Sequence, residues 1–296
     1  MKINRTLFAV LAMLAATAGH AQQSDTLSKV KDSGFITIGA RDTQAPFSYK
    51  PNGSGDPVGY TNDICLKVVD AVKKKLNLPN LQVRYVIMTS VTRIPLIQNG
   101  TADLDCASTT NTVARQKDVD FAPSHFVTGI TAAVPKDSPI QTFADLKGKT
   151  VATVSGSTSV QLMRQHQRNE QFQVQEISGK DTADAFLLMT SGRAAAYVLD
   201  DVQLAALIAN SANPNGYRLL KENLRTEPYG IMYRKNDPQF KQVVDETVAG
   251  LMKSGEIEKI YAKWFTQPIP PANSNLNFPV NDAIREVFRN PNNKGV

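Results

Sequence analysis

Short apolar runs typical of buried strands alternate along this chain with stretches whose apolar residues recur at helical spacing. A strand-like run at residues 35–40 is followed by an amphipathic stretch at 63–76 and a second strand-like run at 81–88. A short helical pattern at 94–98 and another apolar run at 102–107 complete this first group. Neighbouring parallel strands need a crossover between them, and helices usually supply it, so the alternation predicts an α/β fold with parallel sheets.

A second α/β group follows, with three predicted strands and three predicted helices. The strands are expected at residues 150–154, 172–177 and 195–199, and the helices at 159–169, 183–191 and 202–209. The closing segment, residues 239–265, is predicted to form two helices separated at Ser254 and Gly255.

Two uninterrupted extended runs, residues 126–134 and 229–233, connect the two groups. Two crossings indicate that the second group is inserted into the first and joined to it by a two-strand hinge. We therefore predict two lobes, the first formed by residues 22–126 and 229–296 and the second by residues 127–228. A chain of 296 residues is long enough for two such units.

The first residues have the pattern of a secretory signal peptide. Lys2 and Arg5 precede an apolar run at 7–18, and Ala21 ends a group of small residues suited to cleavage. This run is shorter than the roughly 20 residues that span a bilayer. We expect residues 1–21 to be removed and the mature chain, without a membrane span, to be soluble and exported.

Charge and cysteine content add two expectations. Loss of Lys2 and Arg5 reduces the formal charge from +6 to about +4, and the remaining basic residues are scattered, which does not favour a nucleic-acid partner. In an oxidising compartment Cys65 and Cys106 have two open alternatives, a disulfide bond or two buried thiols.

Three arginines stand just beyond the predicted strands of the first lobe. Arg41 follows the run at 35–40, Arg93 follows the run at 81–88, and Arg115 follows the run at 102–107. Ligands of open α/β sheets bind beyond the carboxyl ends of strands. A single loop arginine is usually a surface charge, but three in the same topological position favour an anion-binding site, together with the nearby hydroxyls of Ser90, Ser108 and Thr110.

The second lobe offers a hydroxyl-rich turn and an acidic pair. The turn at 155–159, which contains Thr158, suits a helix cap and also an anion at the helix start; both interpretations stay open. Asp200 and Asp201 follow a predicted strand, and spacing alone does not decide which caps the next helix and which faces a ligand. Three guanidinium groups and one carboxylate predict a ligand with two negative groups and one positive group, such as an acidic amino acid.

Features of an enzyme are sparse. After residue 21 the only histidines are His125 and His166, and no Gly-x-Ser-x-Gly motif, metal-ligand spacing or dinucleotide fingerprint occurs. We therefore expect a binding protein without metal or cofactor. The alternatives are a dehydratase-like enzyme on the same fold, with Asp200 as its acid or base, and a sensor domain that signals through a separate partner.

Several motifs, read together, resemble the extracytoplasmic solute-binding proteins of polar amino-acid ABC transporters, in particular the glutamate/aspartate binders of that family. The resemblance runs nearly end to end, in order and with similar spacing. It rests on Pro46-Phe47-Ser48-Tyr49, Gly59-Tyr60, Arg93-Ile94-Pro95-Leu96, Ser108-Thr109-Thr110-Asn111, Ser155-Gly156, Asp200-Asp201, Asp237-Pro238-Gln239-Phe240-Lys241 and Ile269-Pro270-Pro271.

The resemblance implies a type II periplasmic-binding-protein fold that closes on its ligand like a hinged clamp. It implies a monomer that binds L-glutamate and L-aspartate and delivers them to the membrane subunits of an ABC permease; a binder of another polar amino acid, such as glutamine, is the alternative. Residue by residue, it implies three groups of contacts: Arg115, Thr110 and Thr158 for the α-carboxylate; Asp200 and the region of Ser108 for the α-ammonium; Arg41, Ser90 and Arg93 for the side-chain carboxylate. Thr182 stands where the glutamate/aspartate binders have a histidine. The preference between aspartate and glutamate, and the rejection of glutamine, therefore stay open.

Overall fold

The computed structural model describes residues 25–296, so the predicted signal peptide at 1–21 lies outside the described part of the chain. The first segment contains α1 (Thr26–Ser33), β1 (Phe35–Ala40), β2 (Thr43–Gln44), β3 (Ser48–Tyr49), α2 (Tyr60–Leu76), β4 (Gln82–Ile87), α3 (Arg93–Gln98), β5 (Leu104–Asp105), β6 (Val119–Phe121) and β7 (Phe126–Pro135). The second contains β8 (Thr150–Val154), α4 (Thr158–Asn169), β9 (Gln175–Gly179), α5 (Thr182–Thr190), β10 (Ala196–Asp200), α6 (Asp201–Ala209), β11 (Tyr217–Leu219) and β12 (Thr226–Tyr229). The third contains β13 (Met232–Arg234), α7 (Pro238–Lys253), α8 (Glu256–Phe265), β14 (Pro268–Ile269), β15 (Ser274–Asn275) and α9 (Asp282–Arg289).

Two sheets form the centres of two lobes. In the first sheet the strand order is β4-β1-β5-β13-β6; β1 is parallel to β4 and β5, whereas β13 is antiparallel to β5 and β6. In the second sheet the order is β11-β7-β10-β8-β9, with β8 parallel to β9 and β10. The parallel strands of each sheet end at one edge, where the loops into the helices form the binding surface expected of this topology.

The hinge consists of β7 and β12. Phe126–Gly129 of β7 pairs antiparallel with Thr226–Tyr229 of β12, and β7 then continues into the second sheet beside β10. The second crossing was predicted at residues 229–233, but it ends at Tyr229, since Met232–Arg234 already belongs to the first sheet as β13. This shift brings Glu227 into the hinge.

An aromatic cluster packs at the root of the hinge. Phe126 lies with its ring centroid 4.9 Å from that of Phe47, 5.1 Å from that of Phe265 and 5.8 Å from that of Tyr229. All four side chains are fully buried. Burial of each large apolar side chain contributes roughly 1.5–3 kcal/mol, so the cluster anchors both crossings to the core of the first lobe.

Some element boundaries differ from those predicted. Helix α2 begins at Tyr60, three residues before the predicted start. The residue before it, Gly59, has φ 141°, and a Cβ added there would lie 2.2 Å from the carbonyl oxygen of Phe47. The predicted strand at 102–107 contains only the two residues of β5. Helices α1 and α9 were not predicted; both are eight residues long, and two or three buried residues anchor each.

A disulfide bond joins Cys65 of α2 to Cys106, which follows β5 directly. The Cα atoms are 6.1 Å apart, and both residues are fully buried in the core of the first lobe. The bond fastens a covering helix to the central strands that carry the binding loops, and it closes a loop of 41 residues.

Replacing both cysteines with alanine is expected to lower the free energy of unfolding by about 4 kcal/mol, because a cross-link over a loop of this length restricts the unfolded chain. Urea unfolding of the wild type and the double variant measures the difference. As the chemical control, wild-type protein denatured and alkylated without reductant should carry no label on either cysteine by mass spectrometry; two labelled cysteines would contradict the bond.

Candidate functional site

The candidate residues lie at the strand ends of both lobes, facing one another across the cleft. In the first lobe, Arg41 follows β1, Arg93 begins α3 after β4, and Ser108 to Thr110 follow β5. In the second, Thr158 and Thr182 are the first residues of α4 and α5, and Asp200 is the last residue of β10. Each is therefore positioned by a strand-to-helix connection.

Seven of the nine candidates line a single small cavity between the lobes. They are Ser90, Arg93, Ser108, Thr110, Thr158, Thr182 and Asp200. The two remaining candidates lie at its edges: Arg41 donates to the hydroxyl of Ser90, and Arg115 donates to the carbonyl oxygen of Thr110. Gln44 and Gln203 also line the cavity and were not predicted.

Arg41 is a buried cation whose partners are neutral. Its Nη1 donates to the carbonyl oxygen of Met88 (2.6 Å) and its Nη2 to Oγ of Ser90 (2.7 Å), while only 4% of the residue is exposed. Within residues 25–296 its Nε has no hydrogen-bond partner. Burial, and then the neighbouring charge of Arg93, lower the pKa of Arg41 to about 9. Both effects disfavour the cation and would be offset by an anion.

Arg93 is buried as deeply but is linked to a carboxylate. Its Nη1 donates to Oγ1 of Thr109 (2.7 Å), and that hydroxyl donates to Asp105 (2.6 Å). Burial lowers the pKa of Arg93, and the charge of Asp105 opposes this. Asp105 was not predicted, although a carboxylate inside an apolar strand is an unusual feature that the sequence displays. Nε of Arg93 has no partner in the described chain.

Arg115 connects the lobes at the rim of the cavity. It begins a 3-10 helix, Arg115–Lys117, and its Nη1 donates to the carbonyl oxygen of Thr110 (2.8 Å). Its Nη2 reaches across the cleft to the carbonyl oxygen of Gly156 at 3.5 Å. The end of the chain supports this turn, since the backbone of Val296 hydrogen-bonds to Asn111 and Val113.

Gly156 allows the second lobe to approach the first closely. It has φ 76°, which favours glycine, and an added Cβ would lie 3.0 Å from the backbone carbon of Ser90. Next to it, Ser157 caps α4 by accepting a bond from the N–H of Val160. The hydroxyl-rich turn therefore both caps a helix and forms one wall of the cleft.

The structure distinguishes Asp200 from Asp201. Asp201 accepts bonds from the N–H of Val202 and the hydroxyl of Thr128, whereas Asp200 lines the cavity and accepts a bond from the amide of Gln203 (2.9 Å). The other carboxylate oxygen of Asp200, Oδ1, has no partner in the described residues. Burial, and then the charge of Glu227, raise the pKa of Asp200 to about 7.

Glu227 of the hinge strand was missed by the sequence analysis. It is fully buried, and its Oε2 accepts hydrogen bonds from Thr110 of the first lobe and Thr158 of the second, each at 2.7 Å. Its Oε1 is held by Nε and Nη2 of Arg225. A charged residue in an extended hinge strand is the feature by which the sequence could have revealed Glu227. It was overlooked because this strand was predicted to begin at residue 229, two residues later.

Two further candidate hydroxyls already have partners. Thr182 donates to the carbonyl oxygen of Thr43 (2.8 Å), and its hydroxyl lies 3.0 Å from that of Thr43, so the pair joins the two lobes. Ser108 donates to the side-chain oxygen of Gln44 (2.8 Å). Both groups can still accept a hydrogen bond from a ligand.

Among residues 25–296, no group of three His, Cys, Asp or Glu side chains is arranged to hold a metal ion. His125 is fully buried outside the cavity, where burial lowers its pKa to about 3. No helix in this part of the chain has the length and apolar character needed to cross a membrane.

Comparison with known proteins identifies the family of this chain. The sequence profile of the bacterial extracellular solute-binding proteins, family 3, matches residues 36–267. An L-glutamate/L-aspartate-binding protein of Pseudomonas aeruginosa is 45% identical over 96% of this chain and 94% of its own length. The glutamate/aspartate import solute-binding protein of Escherichia coli is 42% identical over the full length of both chains.

A solved structure has a similar fold. The ancestral amino acid-binding protein AncCDT-1, described as a precursor of cyclohexadienyl dehydratase, superposes with a TM-score of 0.69 at 27% identity, covering 82% of this chain and 100% of its own. The two lobes, the paired hinge strands and the cleft at the strand ends are those of a type II periplasmic-binding protein. This chain belongs to the bacterial extracellular solute-binding proteins of family 3.

Proposed function

We propose that this protein captures L-glutamate and L-aspartate in the periplasm by closure of its two lobes and delivers them to the membrane permease of an ABC importer. The names of the two relatives described above, an L-glutamate/L-aspartate-binding protein and a glutamate/aspartate import solute-binding protein, support this ligand class. So does the chemistry of the cleft, which combines buried cations with a buried carboxylate, one oxygen of which has no hydrogen-bond partner within residues 25–296.

The observation that carries the proposal is the state of Arg41 and Arg93. They are 4% and 3% exposed, and Nε of each has no partner in the described chain. A buried charge is costly unless it is paired and hydrogen-bonded. A ligand carboxylate between them would supply the charge, because a guanidinium and a carboxylate form strong charge-assisted bonds. An amide side chain, as in glutamine, would supply no charge.

The amino-acid end of the ligand is proposed to lie between Arg115 and Asp200. Arg115 would pair with the α-carboxylate from the first lobe, and Oδ1 of Asp200 would accept from the α-ammonium from the second. The two opposite charges next to the α-carbon of the ligand would then be matched by groups on opposite lobes, so that the closed form binds better than the open one.

A dehydratase-like activity is a second candidate, because one observation favours it. Asp200 lies in the cavity with a pKa raised to about 7, which suits a general acid or base at neutral pH. Incubation of the purified protein with L-glutamate, followed by mass spectrometry of the solution, distinguishes the two. A binding protein returns the ligand unchanged, whereas loss of water or ammonia from it would support the enzyme.

Calorimetric titration of ligand-stripped protein tests the ligand class. We expect L-glutamine to bind at least about thirtyfold more weakly than L-glutamate, since leaving a desolvated charge unpaired costs roughly 2–5 kcal/mol. Arg41→Ala and Arg93→Ala should narrow the difference in affinity between the two ligands, because they weaken the binding of glutamate. Arg115→Ala should weaken the binding of both ligands alike. Arg164→Ala, which removes an exposed arginine of α4, is the matched control and should change neither. Equal affinities of the wild type for the two ligands would refute the assignment.

Binding is also expected to depend on pH through Asp200. An α-ammonium against this carboxylate favours its ionised form, so ligand binding lowers its pKa and releases a proton when the free protein is protonated there. Affinity should therefore increase as pH rises through about 7 and level off above it. Titration at about pH 6 in buffers of different ionisation enthalpy should detect proton release. The control variant Asp201→Asn should still release a proton on binding. Proton uptake by the wild type on binding would contradict the role of Asp200.

A further inference from the structure

A segment after α9 runs along the loop that carries one of the three arginines. We call this segment, residues 290–296, the tail, and residues 109–116, which contain Arg115, the arginine loop. Helix α9 anchors the tail to the core of the first lobe through Ile284 and Phe288, which are 0% and 5% exposed. The residues of the tail itself are half-buried or exposed. Burial of side chains therefore contributes little to its position.

Hydrogen bonds join the tail to the arginine loop on both sides of the arginine. The backbone of Val296 donates to the carbonyl oxygen of Asn111 and accepts from the N–H of Val113, each at 3.1 Å. The carbonyl oxygen of Asn293 accepts from the side-chain amides of Asn111 (2.9 Å) and Gln116 (2.7 Å). The tail thus holds the loop before and after the turn that presents the guanidinium group.

The other edge of the arginine loop is held by the hinge. The N–H of Asn111 donates to the carbonyl oxygen of Pro228 in β12 (2.8 Å), and the carbonyl oxygen of Thr109 accepts from the N–H of Gly230 (3.0 Å). The loop therefore lies between the hinge and the tail, and Asn111 is fully buried there. Loss of the tail would free one edge of the loop, while the hinge would still hold the other.

The tail lies against the residues from which the turn of Arg115 is built. The N–H of Arg115 donates to the hydroxyl of Thr112 (3.1 Å), and the N–H of Gln116 donates to the carbonyl oxygen of Thr112 (3.0 Å). A Cβ added to Gly295 of the tail would lie 2.8 Å from the carbonyl carbon of Thr112 and 2.7 Å from the backbone nitrogen of Val113. The contact is thus backbone against backbone and leaves no room for a side chain.

We propose that the tail is a strap that positions the arginine loop, so that the affinity for the ligand depends on a segment that does not line the cavity. A loop with a free edge samples several conformations, and the apparent affinity falls by the fraction of time that it spends in the binding conformation. The tail keeps that fraction high. This inference rests on the proposed function, from which it takes the ligand, and adds to it a positioning element outside the cleft.

Thermodynamic reciprocity gives a test that a merely structural tail would not pass. If docking of the tail strengthens ligand binding by some factor, ligand binding must strengthen docking of the tail by the same factor. The amides of Val113 and Val296 bond across the junction, so their hydrogen exchange reports opening of the tail. We expect both to exchange more slowly with saturating L-glutamate, by the factor that loss of the tail costs in affinity. The amide of Arg285 within α9 is the reference and should change less.

Gly295→Ala tests the strap with a single methyl group. The added Cβ would collide with backbone atoms of the arginine loop, so the tail must move away from the loop. We expect the affinity for L-glutamate to fall by about fivefold or more, the lower end of typical couplings between sites. Gly250→Ala in α7 is the matched control, because nothing lies within 4 Å of a Cβ added there, and it should leave the affinity unchanged.

Deletion of residues 291–296 removes the strap altogether. The variant keeps Asn290, whose N–H completes the hydrogen bonds of α9, so the anchoring helix stays intact. Its affinity for L-glutamate is expected to fall at least as far as that of Gly295→Ala. Val296→Ala is the control for the deletion, because it changes an exposed side chain and keeps the backbone bonds of the tail. It should bind as the wild type does.

Calorimetry with L-glutamate measures these affinities, and circular dichroism reports whether each variant is folded at the temperature of the titration. A folded deletion variant that binds glutamate as tightly as the wild type overturns the inference, and so does exchange of the tail amides that glutamate leaves unchanged. If the deletion variant is unfolded, the affinity of Gly295→Ala decides in the same way. These results leave glutamate binding by the wild type in place. If the wild type binds neither glutamate nor aspartate, the proposed function fails, and this inference fails with it.

Discussion

The burial of positive charge beside the cleft is the constraint on which this structure depends. Guanidinium groups that leave water must recover the lost hydration through paired charge and hydrogen bonds. Arg93 recovers part of it inside the protein, through the hydroxyl of Thr109 to Asp105. Within residues 25–296, Arg41 donates hydrogen bonds only to neutral oxygens. The two cations therefore differ. Asp105 compensates part of the charge of Arg93 within the protein, whereas compensation of the charge of Arg41 depends more on the ligand in the cleft.

The topology of the two sheets explains how residues far apart in the sequence come together at the cleft. Parallel strands β1, β4 and β5 end at one edge of the first sheet, so the residues that follow them converge although 74 positions separate Arg41 from Arg115 in the sequence. The second sheet presents Thr158 and Asp200 in the same way. Because the hinge strands pair with each other along Phe126–Gly129 and Thr226–Tyr229, a residue on the hinge is within reach of both lobes, and Glu227 contacts both.

These same facts decide what the sequence could reveal. The arginines were found because loops after parallel strands face the same edge, a rule that needs only the order of strands. Asp105 was missed because it lies in a strand that was interpreted by its apolar neighbours. Glu227 was missed because the second hinge strand was predicted to begin at residue 229, two residues after it. The engagement of Thr182 with Thr43 was out of reach for another reason: whether a hydroxyl is free depends on a partner 139 positions away.

The contacts between the lobes also bear on how closure is driven. The hydrogen bonds between the lobes include small polar contacts of Thr43 with Thr182, Arg115 with Gly156 and Ser274 with Asn210, besides those of the two threonines that share Glu227. Net contributions of such hydrogen bonds are roughly 0.5–1.5 kcal/mol each, because water replaces them when the cleft opens. These hydrogen bonds therefore stabilise the closed form only slightly when no ligand is bound. A ligand that brings charge to Arg41 and to Asp200 gains much more in the closed form than in the open one, and this difference is what allows binding to shift the equilibrium.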